Sequence, residues 1–256
     1  MGIREDWNDK ILVFDGGMGS LLQGAGLKPG ELPETWNIKH PEVLVKIHED
    51  YLNAGANIIL SNTFGANRLK YNEAAEFNLD EIVDAAMKNA RTAVEHCGRG
   101  YVALDLGPTG RLLKPMGDLD FEEAVSIYTE VVKAGVRGGA DLILIETMSD
   151  TYELKAAVLA AKENSDLPIF CNHNFRWKRQ TFNRRNTEVR CGTFGRSGRG
   201  CARNQLWIRS GSDEADCGRT ASVCVDPGGC QSMRDFREAR EERPYMILIR
   251  QNLSRK

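Results

Sequence analysis

Apolar and polar positions fall in blocks along the first two thirds of the chain. Ile11-Leu12-Val13-Phe14 is a short apolar run that ends at Asp15-Gly16-Gly17. Asn57-Ile58-Ile59-Leu60 ends at Ser61-Asn62-Thr63, and Tyr101-Val102-Ala103-Leu104 ends near Gly107-Pro108. Leu142-Ile143-Leu144-Ile145 ends at Glu146-Thr147, and Pro168-Ile169-Phe170-Cys171 ends at Asn172. Runs this short and continuous read as strands buried on both faces, the condition of a parallel sheet. Between them lie helical stripes: Leu44, Ile47, Tyr51 and Ala54; Ile82, Ala86, Ala90 and Ala93; Ala124, Tyr128, Val131 and Gly135; Leu154, Ala157, Val158 and Ala161. Asp150 followed by Glu153 reads as a capping box that opens the last of these helices. Strand and helix alternate four times before the fifth strand, which is βα-unit architecture, and right-handed crossovers make the strands parallel. The pattern fits an open and a closed sheet alike.

In either arrangement ligands bind at the carboxyl ends of the strands. Polar residues gather there: Asp15, Asn62, Thr63, Glu146 and Asn172. Any one of them serves equally well as a helix cap or a turn residue, but a polar group beyond each of several strands is harder to assign to turns alone. Two carboxylates, Asp15 and Glu146, would suit a ligand ammonium group; they would also suit a metal, although no histidine accompanies them.

The 256 residues are enough for one large domain such as a β/α barrel, and the 41% hydrophobic content fits a globular chain. No apolar run is long enough to span a membrane. Met1 to Lys10 is polar and lacks the apolar centre of a secretory signal, so a cytoplasmic location is expected. The averages hide a break. Residues 1–175 carry 16 Lys and Arg against 27 Asp and Glu, net −11, whereas residues 176–256 carry 18 against 9, net +9. Lys outnumbers Arg 10 to 6 in the first part, and Arg outnumbers Lys 16 to 2 in the second. Taken alone, such a tail reads as a basic disordered segment that binds nucleic acid.

Several segments resemble one family. Asp15-Gly16-Gly17-Met18-Gly19 is similar to the DGxMG opening of the homocysteine-binding domain, and Glu31-Leu32-Pro33-Glu34-Thr35-Trp36-Asn37 to the ELPExWN segment of its methionine synthase branch. Thr63-Phe64-Gly65-Ala66-Asn67 resembles the NTFGAN turn. Leu106-Gly107-Pro108-Thr109-Gly110 with Lys114-Pro115-Met116-Gly117-Asp118 resembles the GPTG…PxGDL stretch, and Ile145-Glu146-Thr147-Met148-Ser149-Asp150 the IETMSD element. The likeness runs in order from about residue 8 to residue 172. It implies a (β/α)8 TIM-type barrel that binds homocysteine at its carboxyl-terminal mouth and holds zinc with three cysteine thiolates. The zinc lowers the thiol pKa of homocysteine, so that the sulfur attacks an activated methyl group as a thiolate. It also implies methylcobalamin, carried on another module, as methyl donor, with cobalamin- and folate-binding modules in the intact protein. By the same resemblance Asp15 and Glu146 hold the ammonium end of homocysteine, and Asn62, Thr63, Phe64 and Asn172 line the pocket.

The zinc motifs of the family, GINCG and GGCCG, do not occur in this chain. Strand and helix periodicity stops after Cys171-Asn172, where the family pattern stops too. Codons chosen within degeneracy for Phe175 to Arg185, read one base later, spell FDGNGKLLTGG; Gly192 to Ala215 read likewise spell ELLEGLGVDALGINCGFGPDQMKR, which contains the missing INCG. Tyr245 to Lys256 read two bases later spell YDIDPAEFVAK. Ordered family text in neighbouring phases implies that translation leaves the family frame near His173 or Asn174 and shifts again between about Asp216 and Gln231. The tail cysteines, Cys191, Cys201, Cys217, Cys224 and Cys230, lie 10, 16, 7 and 6 residues apart and include no C-x2-C pair, so no ordered metal site is expected there.

The resulting expectation is an α/β fold, a TIM-type barrel truncated to about its first five βα units over residues 1–175, followed by an out-of-frame, disordered tail over 176–256. The function expected is that of a homocysteine S-methyltransferase module of the methionine synthase type, without activity in this form because the zinc cysteines are missing. Two alternatives stand beside it: an enzyme of the same fold using betaine or S-methylmethionine, and a non-enzymatic binding protein whose basic tail binds nucleic acid. The principal reading excludes nucleic-acid and membrane partners. Sequencing the gene from the codons before Cys171 onward checks the frame break: INCG-like and YDIDP-like coding should appear in the neighbouring phases.

Overall fold

A computed structural model describes residues 3, 6, 12–72 and 74–174, together with the backbone of 206–208 and 220–225. The described residues up to Asp105 form one compact unit with Glu130–Leu142; Leu106–Thr129 and the described residues from Ile143 onward form a second.

In the first unit the expected opening strand is a short pairing. Phe14 bridges Ile58 in parallel, the amide of Asp15 donates to the Ile58 carbonyl at 2.9 Å, and that of Asn57 donates to Val13 at 2.8 Å. Helix α1, Met18–Ala25, follows and closes on Gly26, whose φ of 115° is open to glycine at little cost. A 3-10 turn, Pro33–Thr35, leads into the short α2, Trp36–Lys39, and then into α3, Pro41–Asn53. The periodicity did not show α1 or α2, which are too short to display a stripe. Strand β1, Ile58–Leu60, is followed by α4, Leu79–Cys97. A capping box opens α4: the Asn78 side chain accepts from the amide of Glu81, and the Glu81 carboxylate accepts from that of Asn78. Strand β2, Tyr101–Leu106, runs parallel to β1 with Ile58, Ile59 and Leu60 opposite Tyr101, Val102 and Ala103. Helix α5, Phe121–Arg137, contributes its last turns to this unit. There Gly135 lies so close to Leu104 that a Cβ would overlap its side chain, which is why this stripe position carries no side chain.

In the second unit β3, Leu142–Met148, pairs in parallel with β4, Ile169–Asn174, through the intervening α6, Thr151–Asn164. On its other edge β4 meets β6, Thr220–Val225, and β6 meets β5, Leu206–Ile208, both antiparallel, giving the order β3-β4-β6-β5. A sheet made only of βα crossovers cannot contain antiparallel neighbours, so the barrel pattern stops at β4. The sequence reading left residues 176–256 without regular structure; two strand segments fall within them. Without a parallel neighbour, that edge of β4 is a template for any strand-forming segment, and Thr220-Ala221-Ser222-Val223-Cys224-Val225, which pairs with it, has that composition.

The stripes are the buried faces. Ile82, Ala86, Ala90, Ala93, Ala124, Ala157 and Ala161 are fully buried, as are Ile58, Ile59, Leu104 and Leu142–Ile145. Ala54 departs from its stripe: α3 ends at Asn53 and Ala54 is exposed, because Gly55 turns the chain there. The expected box at Asp150 is half present. The Asp150 side chain accepts from the amide of Tyr152 at 2.9 Å, but Glu153 turns inward to other partners. No helix among the described residues is long and apolar enough to cross a membrane.

His48 on α3 is fully buried, and neither ring nitrogen has a hydrogen-bond partner among the described residues. Burial lowers its pKa to about 4. An unfolded chain takes up this proton near pH 6.5 while the folded one resists until about 4, so stability falls as the pH drops through that window. Urea titrations at a series of pH values should show a loss of about 3 kcal/mol across the window that His48→Leu removes.

Candidate functional site

The residues singled out at strand ends lie in both units. In the first, Asp15 follows the opening strand and is 5% exposed. Its Oδ2 accepts from the amide of Leu60 at 2.9 Å, tying the end of the first strand to the end of β1. Tyr51 of α3 donates from its hydroxyl to the Gly17 carbonyl at 3.2 Å. Burial, and then the charge of Asp15, push the Tyr51 phenol up to about 12. The DGxMG turn is thus held by a carboxylate on one side and a neutral phenol on the other.

Beyond β1 the Ser61-Asn62-Thr63 segment is buried and internally bonded. The Thr63 hydroxyl donates to the Asp105 carbonyl at 2.8 Å and lies 2.8 Å from the Ser61 hydroxyl, which accepts from the amide of Asp105 at 3.2 Å. With its own proton directed to Asp105, Thr63 accepts from Ser61. Both amide protons of Asn62 are used, toward the Pro33 carbonyl at 2.9 Å and Asn37 Oδ1 at 3.1 Å, while its backbone carbonyl accepts from Asn37 Nδ2 at 2.8 Å. Asn89 of α4 then donates to the Asn37 carbonyl at 2.9 Å. Asn62 and Thr63 therefore hold loops to strands. Phe64, next in line, is 39% exposed.

Glu34, in the ELPETWN segment, is 4% exposed and closes the same loop. It accepts from the amide of Gly65 at 2.7 Å and from the Tyr71 hydroxyl at 3.1 Å. A Cβ at Gly65 would run into the Glu34 carboxylate and the end of Lys70, which accounts for the glycine of the TFGAN turn. Burial and the neighbouring Glu34 raise the Tyr71 pKa, so the phenol remains a donor.

In the second unit Glu146 and Thr147 stand half-buried near the end of β3, and Thr147 has a φ of 62°. Nearby the loop after β2 is clamped. Glu153 Oε1 accepts from the amide of Thr109 at 2.8 Å, from its hydroxyl at 2.6 Å and from the Tyr128 hydroxyl at 3.2 Å, and Tyr128 also lies 3.1 Å from the Gly107 carbonyl. Burial raises the Glu153 pKa against these bonds, which favour its ionised form. Asn172 lies on β4, and its side chain is outside the described residues.

Sequence reasoning passed over Glu34, Asn37, Asp105 and Glu153 as functional groups. Asp105 had a readable signal, an acid inside the apolar run Leu104-Asp105-Leu106. Glu34 and Glu153 had none, because their partners lie 31 and 44 residues away in the chain.

No group of three or more His, Cys, Asp or Glu side chains among the described residues could hold a metal ion. Cys171 is buried and its thiol is pushed up to about 12, unfavourable to a thiolate, and Cys97 ends α4. These residues do not fit a three-thiolate zinc centre. Cys191, Cys201, Cys217 and Cys230 lie outside the described residues, as does the side chain of Cys224.

The sequence model of the homocysteine S-methyltransferase family matches residues 12–192, running on past the end point that periodicity placed at Asn172. Methionine synthase from Mycobacterium tuberculosis is 32% identical over 184 residues, covering 64% of this chain and 15% of that protein. The chain thus spans about a seventh of that relative's length. Among solved structures, the homocysteine methyltransferase MmuM from Escherichia coli superposes in its metallated form with a TM-score of 0.65 at 19% identity, covering 73% of this chain and 71% of that one. Its oxidized form gives 0.63 at 20% identity, covering 73% and 70%. At these identities the likeness is one of fold.

The Glu34 cluster makes a stability prediction. Glu34→Ala strands the Gly65 amide and the Tyr71 hydroxyl and should lower stability by about 2–4 kcal/mol in urea, whereas Glu34→Gln, which keeps an acceptor, should cost less than half of that.

Proposed function

We propose, on the premise that the chain belongs to the homocysteine S-methyltransferase family, that residues 1–175 are the substrate-holding portion of a methionine synthase-type module and that residues 176–256 are an out-of-frame sequence that leaves this form without activity. The family match over residues 12–192 carries the assignment of the module, and the break in composition with family text in neighbouring coding phases supports the out-of-frame reading of the tail. The likeness to a methionine synthase, 32% identical over 184 residues, together with the ELPETWN and GPTGRLLKPMGDL segments, supports the methionine synthase branch.

In this reading Asp15 and Glu146 receive the ammonium group of homocysteine through charge-assisted hydrogen bonds. Asn62 and Thr63 act mainly by holding their loop rigid, since their donors are already directed to the Pro33, Asn37 and Asp105 positions. The exposed ring of Phe64 offers an apolar wall to the substrate's methylene chain. Asn172, on β4, is the remaining residue that the family resemblance assigns to the pocket. Zinc, when bound in the intact family fold, holds the substrate sulfur as a thiolate; the described residues of this chain do not provide for it. Methylcobalamin on a separate module is the proposed methyl donor, and cobalamin- and folate-binding modules are the proposed partners in the intact protein.

Expressing the chain as written beside a version returned to the family frame and continued through the family's GGCCG segment tests this. The restored protein should bind one zinc ion and convert homocysteine to methionine with methylcobalamin, and the chain as written should do neither. Zinc in stoichiometric amount with turnover by the chain as written overturns the proposal. In the restored protein Asp15→Asn should weaken homocysteine binding about tenfold or more.

A further inference from the structure

Strand β3 carries one residue too many for its partner. Ile145 lies opposite Cys171 on β4 and Met148 lies opposite His173, so three steps on β3 match two on β4. The surplus is taken up at Glu146-Thr147, where Thr147 has a φ of 62°. A β-branched residue at positive φ is an outlier and persists only where its surroundings impose it. Both flanks here are pinned. On one side Ile145 is fully buried and in register. On the other Met148 is fully buried, with its sulfur 3.9 Å from the Tyr128 hydroxyl, and Asp150 caps α6 just beyond. Tyr128 is held in turn by Gly107 and by Glu153, which also grips Thr109.

The bulge changes which side chains share a side. In an even strand Ile145 and Met148, three apart, point to opposite faces. With one residue extra they share a face, Met148 is drawn into the core, and Glu146 and Thr147 remain half-buried together at the strand's open end. Bulges beside functional groups re-aim side chains in this way.

We infer that Thr147 is a positioning residue: its positive-φ bulge, locked between Ile145 and the Met148–Tyr128–Glu153 cluster, sets the direction of the Glu146 carboxylate toward the ammonium group of an amino-acid thiol. This rests on the reading that Glu146 meets that ammonium group. A purely structural role predicts something different. Glycine relieves the strain and should leave binding intact or better; a positioning role predicts that the freed backbone loses aim.

The experiment uses the full chain and two probes, L-homocysteine and 4-sulfanylbutanoate, which keeps the thiol and carboxylate and lacks the ammonium group. The readouts are the ratio of their dissociation constants by NMR titration and the urea midpoint. Thr147→Gly should keep or raise the midpoint yet reduce the preference for homocysteine about tenfold. Thr147→Asn, which tolerates positive φ, should preserve the preference. Glu146→Gln should lose it. If Glu146→Gln loses the preference and Thr147→Gly retains it, the inference is overturned while the role of Glu146 stands. If Glu146→Gln retains it, or if the unaltered chain shows no preference, the reading of Glu146 fails and takes the inference with it.

Discussion

Strand amides that run out of backbone partners are completed in this fold by side-chain oxygens. The amide of Val13 donates to Asn57 Oδ1 at 3.0 Å, that of Leu60 to Asp15 Oδ2 at 2.9 Å, and that of Val102 to Asp141 Oδ2 at 2.8 Å. Parallel strands buried on both faces cannot leave amides unsatisfied, since each would cost about 1–3 kcal/mol. Asn57, Asp15 and Asp141, short polar residues beside apolar runs, are therefore part of the ladder. Asp15 is the plainest case: its Oδ2 takes the Leu60 amide and completes β1.

The same economy governs the loops beyond the strand ends. Glu34 holds the turn at Gly65, Asn37 and Asn62 hold each other, and Glu153 holds Thr109 while Tyr128 reaches Gly107. Each is a buried polar group satisfied by a backbone or side chain far away in sequence. Such networks rigidify what they join, and a site built from loops depends on that rigidity. The strain tolerated at Thr147 is compatible with it, because the residues on both sides are anchored.

The family explains where the regular architecture stops. A βα barrel needs each strand to find parallel neighbours until the ring closes. Here β4 instead meets an antiparallel strand from the arginine- and cysteine-rich part of the chain. Two composition regimes thus meet at one strand edge. Periodicity ends within β4, the family match runs on to residue 192, and the pairing changes from parallel to antiparallel between β4 and β6.

Sequence alone determined the order of the strands and of the four longer helices through residue 172, the parallel direction of those strands, the stripes that face the core, and the polar residues near strand ends, because hydrophobic period and turn chemistry are local properties that a few neighbouring residues express. Only the tertiary structure decided how those polar residues are used. Asn62 and Thr63 are bound to the fold's own backbone, Glu153 leaves its expected cap to grip Thr109, and Thr147 takes a positive φ. Ala54, last of its stripe, falls outside α3. In most of these cases the deciding partner lies across the sheet or tens of residues away, and a hydrogen bond or strand register of that kind exists only once the chain has brought its distant segments together.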